Sequence, residues 1–513
     1  MVPATLDAAG LTALLCDRLE VTTGRPSTRD RELLDTFDGR LRATGLAAER
    51  SVGRGDTRAM TLREPGAPAR EAQVTAAERY LAEDLPPGPL RDRLAPALGV
   101  RALLPLVRVR SRTRSLAVLN RDAKTVVRLE LEDPEVVGNG AARLAPRLRV
   151  QPVLGYDKAF ARTARVLTAD LGLAEADAPL LDQALAAAGD RPRAAFSAAA
   201  AGLARGTRAD NAAGQVLMRL ADIADQNVPG TLADLDTEFL HDLRVSVRRA
   251  RSVLREMRGV FPTAERAHLR TELSWLQALT GPVRDLDVQL LEWRKLTASL
   301  SDERRADVGP LHGLLSGRRT AEFRVLERGL RSRRFTDAMN DWRALAGLEP
   351  APASAPERPL AGVAIEVVAG DRIRSVHRRM VRDGSAIEDA SPPEALHDLR
   401  KRGKELRYLL ELFGSVFPAA VVKPMVSTLK AMQDVLGRFH DRAVQAELLR
   451  GLGDELAVKE GGPQALMALG LVEEALLADQ HAARAGFAER FQRFAAPEQR
   501  ALVRDTFPKL GSQ

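Results

Sequence analysis

Two stretches of this chain, 156 positions apart, repeat each other, and this duplication constrains the possible fold more than any other sequence feature. Residues 240–262 and 396–418 carry the same amino acid at ten of their 23 positions. Gln277, Gly281 and Asp285 also meet identical residues at the same offset, with no gap in between. Chance gives only about one or two matches in a segment of this length, so the chain contains an internal duplication.

Both repeated segments have the periodicity of an amphipathic helix. Cationic residues in the first copy recur at spacings of three and four, which places them on one face of one helix. A stripe of apolar residues with the same period runs beside them, so one face is predicted to enter a core. With a rise of about 1.5 Å per residue, the cationic face should extend for roughly 25 Å. The first basic stripe is His241, Arg244, Arg248, Arg251, Arg255 and Arg258, and its apolar partner is Leu240, Leu243, Val247, Ala250, Leu254, Met257 and Phe261.

The second copy repeats this design with fewer cations. Its stripes begin at the same relative position as those of the first copy, with a His that is followed by Asp-Leu-Arg. The second basic stripe is His397, Arg400, Lys404 and Arg407, and its apolar partner is Leu396, Leu399, Leu406, Leu410, Phe413 and Phe417.

A row of charges on a helix is most often a solvated face in which opposite charges alternate. Here neighbours three and four positions apart carry the same sign, which costs a few tenths of a kcal/mol per pair instead of stabilising the helix. Arginine dominates the first stripe, and its planar guanidinium suits phosphate oxygens in a bidentate geometry. The stripes therefore indicate an anion-binding surface. His241 and His397 stand among cations that repel a metal ion, which favours contact with an anion over metal coordination.

Composition narrows the class of protein. The 513 residues exceed what one core accommodates, so several domains are expected. A net charge of +8 favours an acidic partner. The single cysteine, Cys16, excludes an intrachain disulfide and favours a reducing compartment. The first twenty residues do not resemble a signal peptide, and no apolar run approaches the length of a membrane span, so we expect a cytoplasmic protein without a membrane partner.

The first 150 residues have a different pattern, with short β-rich runs at 104–109, 115–119 and 125–131. Asn120, Arg121 and Asp122 separate the last two runs and predict a hairpin. Helical periodicity begins at about residue 157. Residues 349–359 are rich in Pro and Ala and predict a linker between the two repeats. The expected fold class is a multi-domain α+β protein with β-rich residues 1–200, helical repeats 205–348 and 360–513, and the linker between them.

The repeated motifs resemble those of the CHAD (conserved histidine α-helical domain) family over about residues 205–510. His241-Asp-Leu-Arg-Val-Ser-Val-Arg-Arg-Ala-Arg251 is similar to the signature of its first copy, and His397-Asp-Leu-Arg-Lys-Arg-Gly-Lys-Glu-Leu-Arg-Tyr408 to that of its second. The resemblance implies two helical bundles related by a pseudo-twofold axis, a basic groove that binds inorganic polyphosphate, and association with polyphosphate granules. It implies no cofactor and no metal. The groove residues that it implies are His241, Arg244, Arg248, Arg251, Arg255, Arg284, His397, Arg400, Lys404, Arg407, Lys430 and His440, of which Arg255 departs from the symmetry because its counterpart is Glu411.

The N-terminal region resembles the CYTH family, whose β-tunnel hydrolyses or cyclises triphosphates with a divalent metal. The similar segments are residues 34–46, 61–66 and 127–133. The opening strand of that family, with its alternating glutamates, has no counterpart before Glu20. Because a metal site needs several carboxylates, we expect a degenerate, catalytically silent domain. The candidate carboxylates that remain are Glu130, Glu132 and Asp133, and the arginines that could still bind phosphate are Arg63, Arg108, Arg110 and Arg128.

The sequence thus predicts a non-enzymatic protein that binds polyphosphate. Two alternatives stay open. One is a metal-dependent triphosphate or polyphosphate hydrolase that uses the N-terminal domain. The other is binding of a nucleic-acid backbone, against which the aromatic content of 4% argues, because single-stranded binders stack bases on aromatic rings. Chain-length preference and oligomeric state do not follow from the sequence.

Overall fold

The chain divides into two units, Met1–Ala194 and Ala195–Gln513, in a computed structural model. The first unit is the predicted β-rich domain, and the second is the predicted helical region. The residues that the structure describes are 7–53, 55–138, 141–189, 202–298, 300–352 and 355–511.

The first unit is built on one antiparallel sheet with a few short helices. Its strands are β1 (Val21–Thr23), β2 (Ser27–Thr36), β3 (Ala47–Ser51), β4 (Thr57–Arg63), β5 (Arg70–Thr75), β6 (Leu103–Leu119), β7 (Thr125–Val136), β8 (Ala142–Arg143) and β9 (Arg147–Pro152). Its helices are α1 (Ala8–Arg18), α2 (Arg40–Ala43), α3 (Pro89–Leu98), α4 (Asp157–Arg165) and α5 (Leu180–Ala187).

The strands follow the order β5-β4-β3-β2-β6-β7-β8, with β1 also on β6 and β9 also on β7. The predicted hairpin is the connection between β6 and β7. The Asn120 side chain accepts hydrogen bonds from the backbone N–H groups of Asp122 and Lys124, and Ala123 adopts a φ of 55°. The runs at 104–109 and 115–119, which were expected to be separate, form one continuous strand, β6, because the polar residues between them alternate in and out of the sheet.

The second unit is helical throughout. Its helices are α6 (Ala209–Leu232), α7 (Thr237–Glu256), α8 (Thr263–Leu279), α9 (Gly281–Leu291), α10 (Trp293–Leu296), α11 (Asp302–Asp307), α12 (Gly309–Leu330), α13 (Arg333–Ala346), α14 (Ile365–Ser385), α15 (Pro393–Phe413), α16 (Ala419–Arg450), α17 (Gly453–Ala457), α18 (Gly462–Ala485), α19 (Phe487–Phe494) and α20 (Pro497–Thr506).

The duplication is visible in where the helices begin. Helices α6, α7 and α8 start 156 residues before α14, α15 and α16, respectively. The copies differ downstream, because α8 and α9 of the first copy correspond to the single long helix α16 of the second. Pro282 stands at the start of α9 where the second copy has Arg438. Proline lacks a backbone N–H and its ring clashes with the preceding turn, which favours a division of the helix at this point.

Reciprocal contacts relate the two copies by a pseudo-twofold axis. The backbone N–H of Ala209 donates to the carbonyl of Val363, and that of Ile365 donates to Thr207. Shifting each partner by 156 positions converts one bond into the other. Such exchange of partners is the mark of an isologous interface, here formed within one chain.

Both repeats contribute to one continuous hydrophobic core. The two predicted apolar stripes enter it from α7 and α15, and every residue of both stripes is buried. A second, smaller core lies among α9, α12, α16 and α18. The described residues of the predicted linker are non-helical, as expected. They are packed, since Ala351 is buried and its N–H donates to the Asp210 carboxylate at 2.9 Å.

The prediction that all six cations of the first stripe lie on one helix is wrong for Arg258. Helix α7 ends at Glu256, and Arg258 is exposed in the turn that follows. Gly259 adopts a φ of +78° in this turn and Pro262 precedes the next helix. The chain therefore turns at the end of α7, and Arg258 does not extend the stripe.

Close packing at Gly384 gives a stability prediction. A Cβ at this position of α14 would overlap the ring of Phe491 on α19. We expect Gly384→Ala to lower the free energy of unfolding of the helical unit by about 2 kcal/mol, because overpacking outweighs the higher helix propensity of alanine. The matched control is Gly317→Ala on α12, where an added Cβ meets nothing within 4 Å. Thermal midpoints followed by circular dichroism should fall for the first variant and stay or rise for the control. Equal midpoints would contradict this packing.

Candidate functional site

The two basic stripes lie on equivalent helices that pack against each other. Helix α7 carries His241, Arg244, Arg248, Arg251 and Arg255, while α15 carries His397, Arg400, Lys404 and Arg407. Except for Arg258, the cations of each stripe are half-buried and none is fully enclosed. The duplication therefore brings two cationic helix faces together near its own axis.

Tyr408 of the second copy organises the arginines where the two helices meet. Its hydroxyl accepts a hydrogen bond from Nε of Arg248 at 2.7 Å. The guanidinium groups of Arg248, Arg249 and Arg407 lie 5.6–5.9 Å from the centre of its ring. Aromatic rings attract cations through the negative charge of their faces, so one buried ring holds three arginines of like charge together.

Two ion pairs join the helices on either side of this tyrosine. Arg249 pairs with Glu411 at 2.6 Å, and Arg255 pairs with Glu405 at 3.1 Å. Glu405 is the counterpart of Arg249, and Glu411 is the counterpart of Arg255. The two pairs are therefore exchanged by the pseudo-twofold axis, with cations on the first copy and carboxylates on the second. Arg255 and its counterpart Glu411 differ in charge because each forms one of these two ion pairs with the other copy.

A cleft opens beside Tyr408 between α7, α8 and α15. It has a volume of about 310 Å³ and is lined by six cations and one carboxylate. Sequence reasoning identified only some of its residues, because α8 carries no basic stripe and Lys401 lies outside the helical spacing. We call this site the cationic cleft. Its lining residues are Arg248, Arg251, Ser252, Arg255, Arg270, Ser274, Lys401, Lys404, Glu405 and Tyr408.

The charges of the cleft repel one another, and burial strengthens this effect. Burial and then the neighbouring Arg400 and Arg248 lower the pKa of Lys404 to about 7. Burial, followed by Arg255 and Arg270, lowers the pKa of Arg251. Loss of solvation penalises the charged form of a base, and nearby like charges add to that penalty. An anion entering the cleft would relieve both effects.

The other predicted arginines are oriented by neutral acceptors and carboxylates. Arg244 donates to the carbonyl of Gln277 at 3.1 Å and to the Thr280 hydroxyl at 3.0 Å. Burial lowers its pKa to about 10, which leaves it charged at neutral pH. Arg284 donates to the carbonyl of Thr237 at 3.3 Å, and Arg400 pairs with Asp441 at 2.9 Å.

His397 and His440 form a pair whose Nδ1 atoms lie 3.0 Å apart. One of the two nitrogens must donate and the other accept, so the two rings cannot both be charged in this geometry. Burial, Arg400 and His397 lower the pKa of His440 to about 4, and burial followed by Lys401 lowers that of His397. At neutral pH these rings can offer an N–H to an anion but no charge.

His241 and Lys430 complete the set of predicted residues. His241 is half-buried on the N-terminal half of α7. Lys430 is exposed on α16, ten residues before His440 and hence about 15 Å away along the helix axis. Lys430 is not among the residues that line the cationic cleft.

In the first unit, most of the candidate carboxylates and arginines are engaged in ion pairs. Arg29 pairs with Glu130 at 2.7 Å, and Arg31 pairs with both Glu132 and Glu49. Of the four arginines predicted to bind phosphate, Arg128 is exposed and the others are paired. Arg63 pairs with Glu49, whereas Arg108 and Arg110 share Asp30. Among the described residues, no group of three or more His, Cys, Asp or Glu side chains is arranged to hold a metal ion.

None of the helices in the described part of the chain combines the length and the apolar character that crossing a bilayer requires.

Comparison with known proteins gives one family. The family model of the CHAD domain matches residues 215–450, which include both basic stripes. Two uncharacterized proteins of Mycobacterium tuberculosis, from strains CDC 1551 and ATCC 25618, are each 30% identical over 229 residues. The match covers 41% of this chain and 40% of the length of each relative.

Two solved structures are also similar to the chain. The crystal structure of the CHAD domain from the plant Ricinus communis is 24% identical, with a TM-score of 0.48, over 59% of this chain and 96% of that one. PptA from Streptomyces chartreusis is 19% identical, with a TM-score of 0.42, over 56% of this chain and 100% of that one.

Proposed function

We propose that the protein binds inorganic polyphosphate in the cationic cleft and associates with polyphosphate granules. Residues 215–450 match the family model of the CHAD domain, and this family is associated with polyphosphate binding. The observation that carries the proposal is that cations of both copies line one cleft. Arg248 and Arg251 of the first copy and Lys401 and Lys404 of the second line one cleft that has Glu405 as its carboxylate. Four cations this close raise the electrostatic energy of the empty protein, and a polyanion lowers it.

The chemistry of the cleft suits a chain of phosphates better than a nucleic acid. Single-stranded nucleic acids gain affinity by stacking bases on exposed aromatic rings. Tyr408 is the aromatic residue lining the cleft, and it is buried with arginines around its ring. A polyphosphate chain needs no stacking surface and offers a charge on every phosphate to the arginine forks.

The test is a competition at matched ionic strength. We expect long-chain polyphosphate to bind the full-length protein and to resist displacement by single-stranded DNA at equal phosphate concentration. The affinity should fall steeply with salt, with a log–log slope of about −0.7 per phosphate neutralised if single-strand behaviour transfers. Displacement of polyphosphate by DNA under these conditions would make nucleic acid the better assignment.

For the N-terminal unit we propose that it has no hydrolase activity. Metal-assisted attack on a triphosphate needs carboxylates that are available to a divalent cation. Glu130 is held by Arg29 and Arg149, and Glu132 by Arg31 and the Ser111 hydroxyl. A carboxylate that is neutralised by a guanidinium is a poor ligand for a metal.

We therefore expect no phosphate release above a no-enzyme control when the full-length protein is incubated with triphosphate, ATP or polyphosphate and magnesium or manganese. The control variant is Glu130→Gln with Glu132→Gln, which should behave like the wild type. Release that this double variant abolishes would establish the hydrolase instead.

A further inference from the structure

A second cationic pocket shares the Arg255–Glu405 ion pair with the cleft. It has a volume of about 240 Å³ and is formed by the C-terminal end of α7, helix α14 and helix α15. Helix α14 contributed nothing to the basic stripes, so the pocket was not expected from the sequence. We call it the α14 pocket. Its lining residues are Arg255, Glu256, Arg258, Arg372, Ser375, Arg379, Arg402 and Glu405.

The pocket holds more positive than negative charge. Five arginines line it against two carboxylates, Glu256 and Glu405, which face each other. Burial and then Glu256 raise the pKa of Glu405 to about 7, so at neutral pH the pair carries less than two negative charges. Two further carboxylates flank the pocket, with Asp383 at 2.6 Å from Arg402 and Asp371 at 3.8 Å from Arg372. Guanidinium groups remain in excess.

Two of these arginines retain unused hydrogen-bonding capacity. Within the described residues, the buried Nε–H groups of Arg372 and Arg379 donate to no acceptor. Arg379 reaches Glu405 through Nη2 only at 3.5 Å. A buried donor without an acceptor costs about 1–3 kcal/mol, which a hydrogen bond to a bound anion would recover.

The arginines of the α14 pocket are not repeated on the other side of the pseudo-twofold axis. At the equivalent positions of the opposite side, the arginines of the pocket are replaced by apolar, small or acidic residues. This set of arginines is therefore not a by-product of the duplication, because a feature inherited with both copies would occur on both sides. The residues that stand in place of Arg255, Arg258, Arg372, Arg379 and Arg402 are, in order, Glu411, Gly414, Val216, Ile223 and Ser246.

From these observations we propose that the α14 pocket binds a terminal phosphoryl group, a compact dianion with three oxygens that can each accept from a guanidinium. Its small volume suits one or two phosphates better than a passing polymer. Ser375 adds a hydroxyl donor of the kind that often accompanies arginine at phosphate sites. Two sources offer this chemistry: the end of a polyphosphate chain that leaves the cleft past Arg255, or a separate small phosphorylated molecule.

The test uses pyrophosphate as the probe, in calorimetric titrations of the full-length protein at fixed ionic strength. We expect wild-type protein to bind it and Arg372→Gln with Arg379→Gln to weaken that binding by at least about tenfold. The matched control is Arg378→Gln, an exposed arginine on the same helix, which should stay within about twofold of the wild type. Circular dichroism and the thermal midpoint confirm that each variant is folded.

A cleft variant separates this proposal from polymer binding. Arg248→Gln with Lys404→Gln should lose polyphosphate affinity and keep pyrophosphate affinity. Pyrophosphate binding that is equal in the wild type and the α14 pocket variant, or that is lost in the cleft variant alone, would overturn the proposal whatever the fate of polyphosphate. Failure of the wild type to bind polyphosphate would overturn only the function proposed for the cleft.

The same variants identify the source of the phosphoryl group. Short polyphosphate chains present more ends than long chains at equal phosphate concentration. If the α14 pocket variant weakens the binding of short chains more than that of long chains, the ligand is the chain end. If saturating pyrophosphate leaves polyphosphate binding unchanged, the ligand is a separate small molecule.

Discussion

Reversing one charge in each basic stripe, Arg248→Glu together with Lys404→Glu, is expected to abolish polyphosphate binding. Both side chains line the cationic cleft, on α7 and α15. The double change removes two basic side chains from the cleft and places two carboxylates where phosphates would lie. Since affinity for a polyanion depends on the number of phosphates neutralised, we expect a loss of at least about a hundredfold. Binding to immobilised or fluorescently labelled long-chain polyphosphate at constant ionic strength measures it.

The control must change net charge equally without touching the cleft. Arg324→Glu with Lys459→Glu serves, because both residues are exposed on other helices or turns. Arg248 also donates to Tyr408, so helix content and thermal midpoint must be compared for both variants. Retention of polyphosphate binding by a folded cleft variant would show that the stripes are not the binding surface.

Polyphosphate affinity is expected to decrease as the pH rises above 7, because of Lys404. Burial, Arg400, Arg248 and Arg407 lower its pKa to about 7 in the empty cleft, opposed by Asp441. The histidines nearby are already neutral at this pH, since the pKa of His440 is about 4.

The direction of this pH dependence follows from the linkage between anion binding and protonation of Lys404. Phosphates beside the ammonium raise its pKa in the complex, so binding takes up a proton whenever Lys404 is neutral in the free protein. The charged-lysine contribution is fully present below the free-state pKa and is lost as pH rises towards the pKa in the complex. If that value approaches an ordinary one near 10, affinity should fall about 20-fold between pH 6.5 and 8.5.

Lys404→Arg provides the matched comparison. Arginine stays charged throughout this range, so the variant should bind with little dependence on pH. Lys404→Gln should bind weakly at every pH and also lack the slope. Long chains are required, because their internal phosphates do not titrate here. A wild-type profile that is flat from pH 6.5 to 8.5, or a slope that persists in Lys404→Arg, would contradict the assignment of this effect to Lys404.

Much of the helical unit follows from local pattern. The apolar stripes of α7 and α15 are buried as predicted, because a period of 3.6 residues leaves a helix only one way to bury its leucines. The repeat offset of 156 reappears in the starting residues of three helix pairs. The linker and the β6–β7 hairpin follow from proline and turn chemistry, which acts within a few residues.

The tertiary structure alone decided which cations face each other. Arg270 of α8 and Tyr408 of α15 both line the cationic cleft although they are far apart in the sequence. The periodicity of a single helix cannot predict contacts between different helices. The sequence shows that Arg255 has an acidic counterpart, Glu411, but not why. The reciprocal ion pairs Arg249–Glu411 and Arg255–Glu405 in the structure explain it. Arg258 leaves the stripe because α7 ends before it.

By itself the sequence determined the duplication, the two amphipathic helices and the cationic character of their faces, because these depend on residue type and spacing along one element. Only the tertiary structure decided the charge state of Lys404 and the existence of the α14 pocket. Both depend on desolvation and on charges from several helices, and these act through space between residues that are distant in the chain.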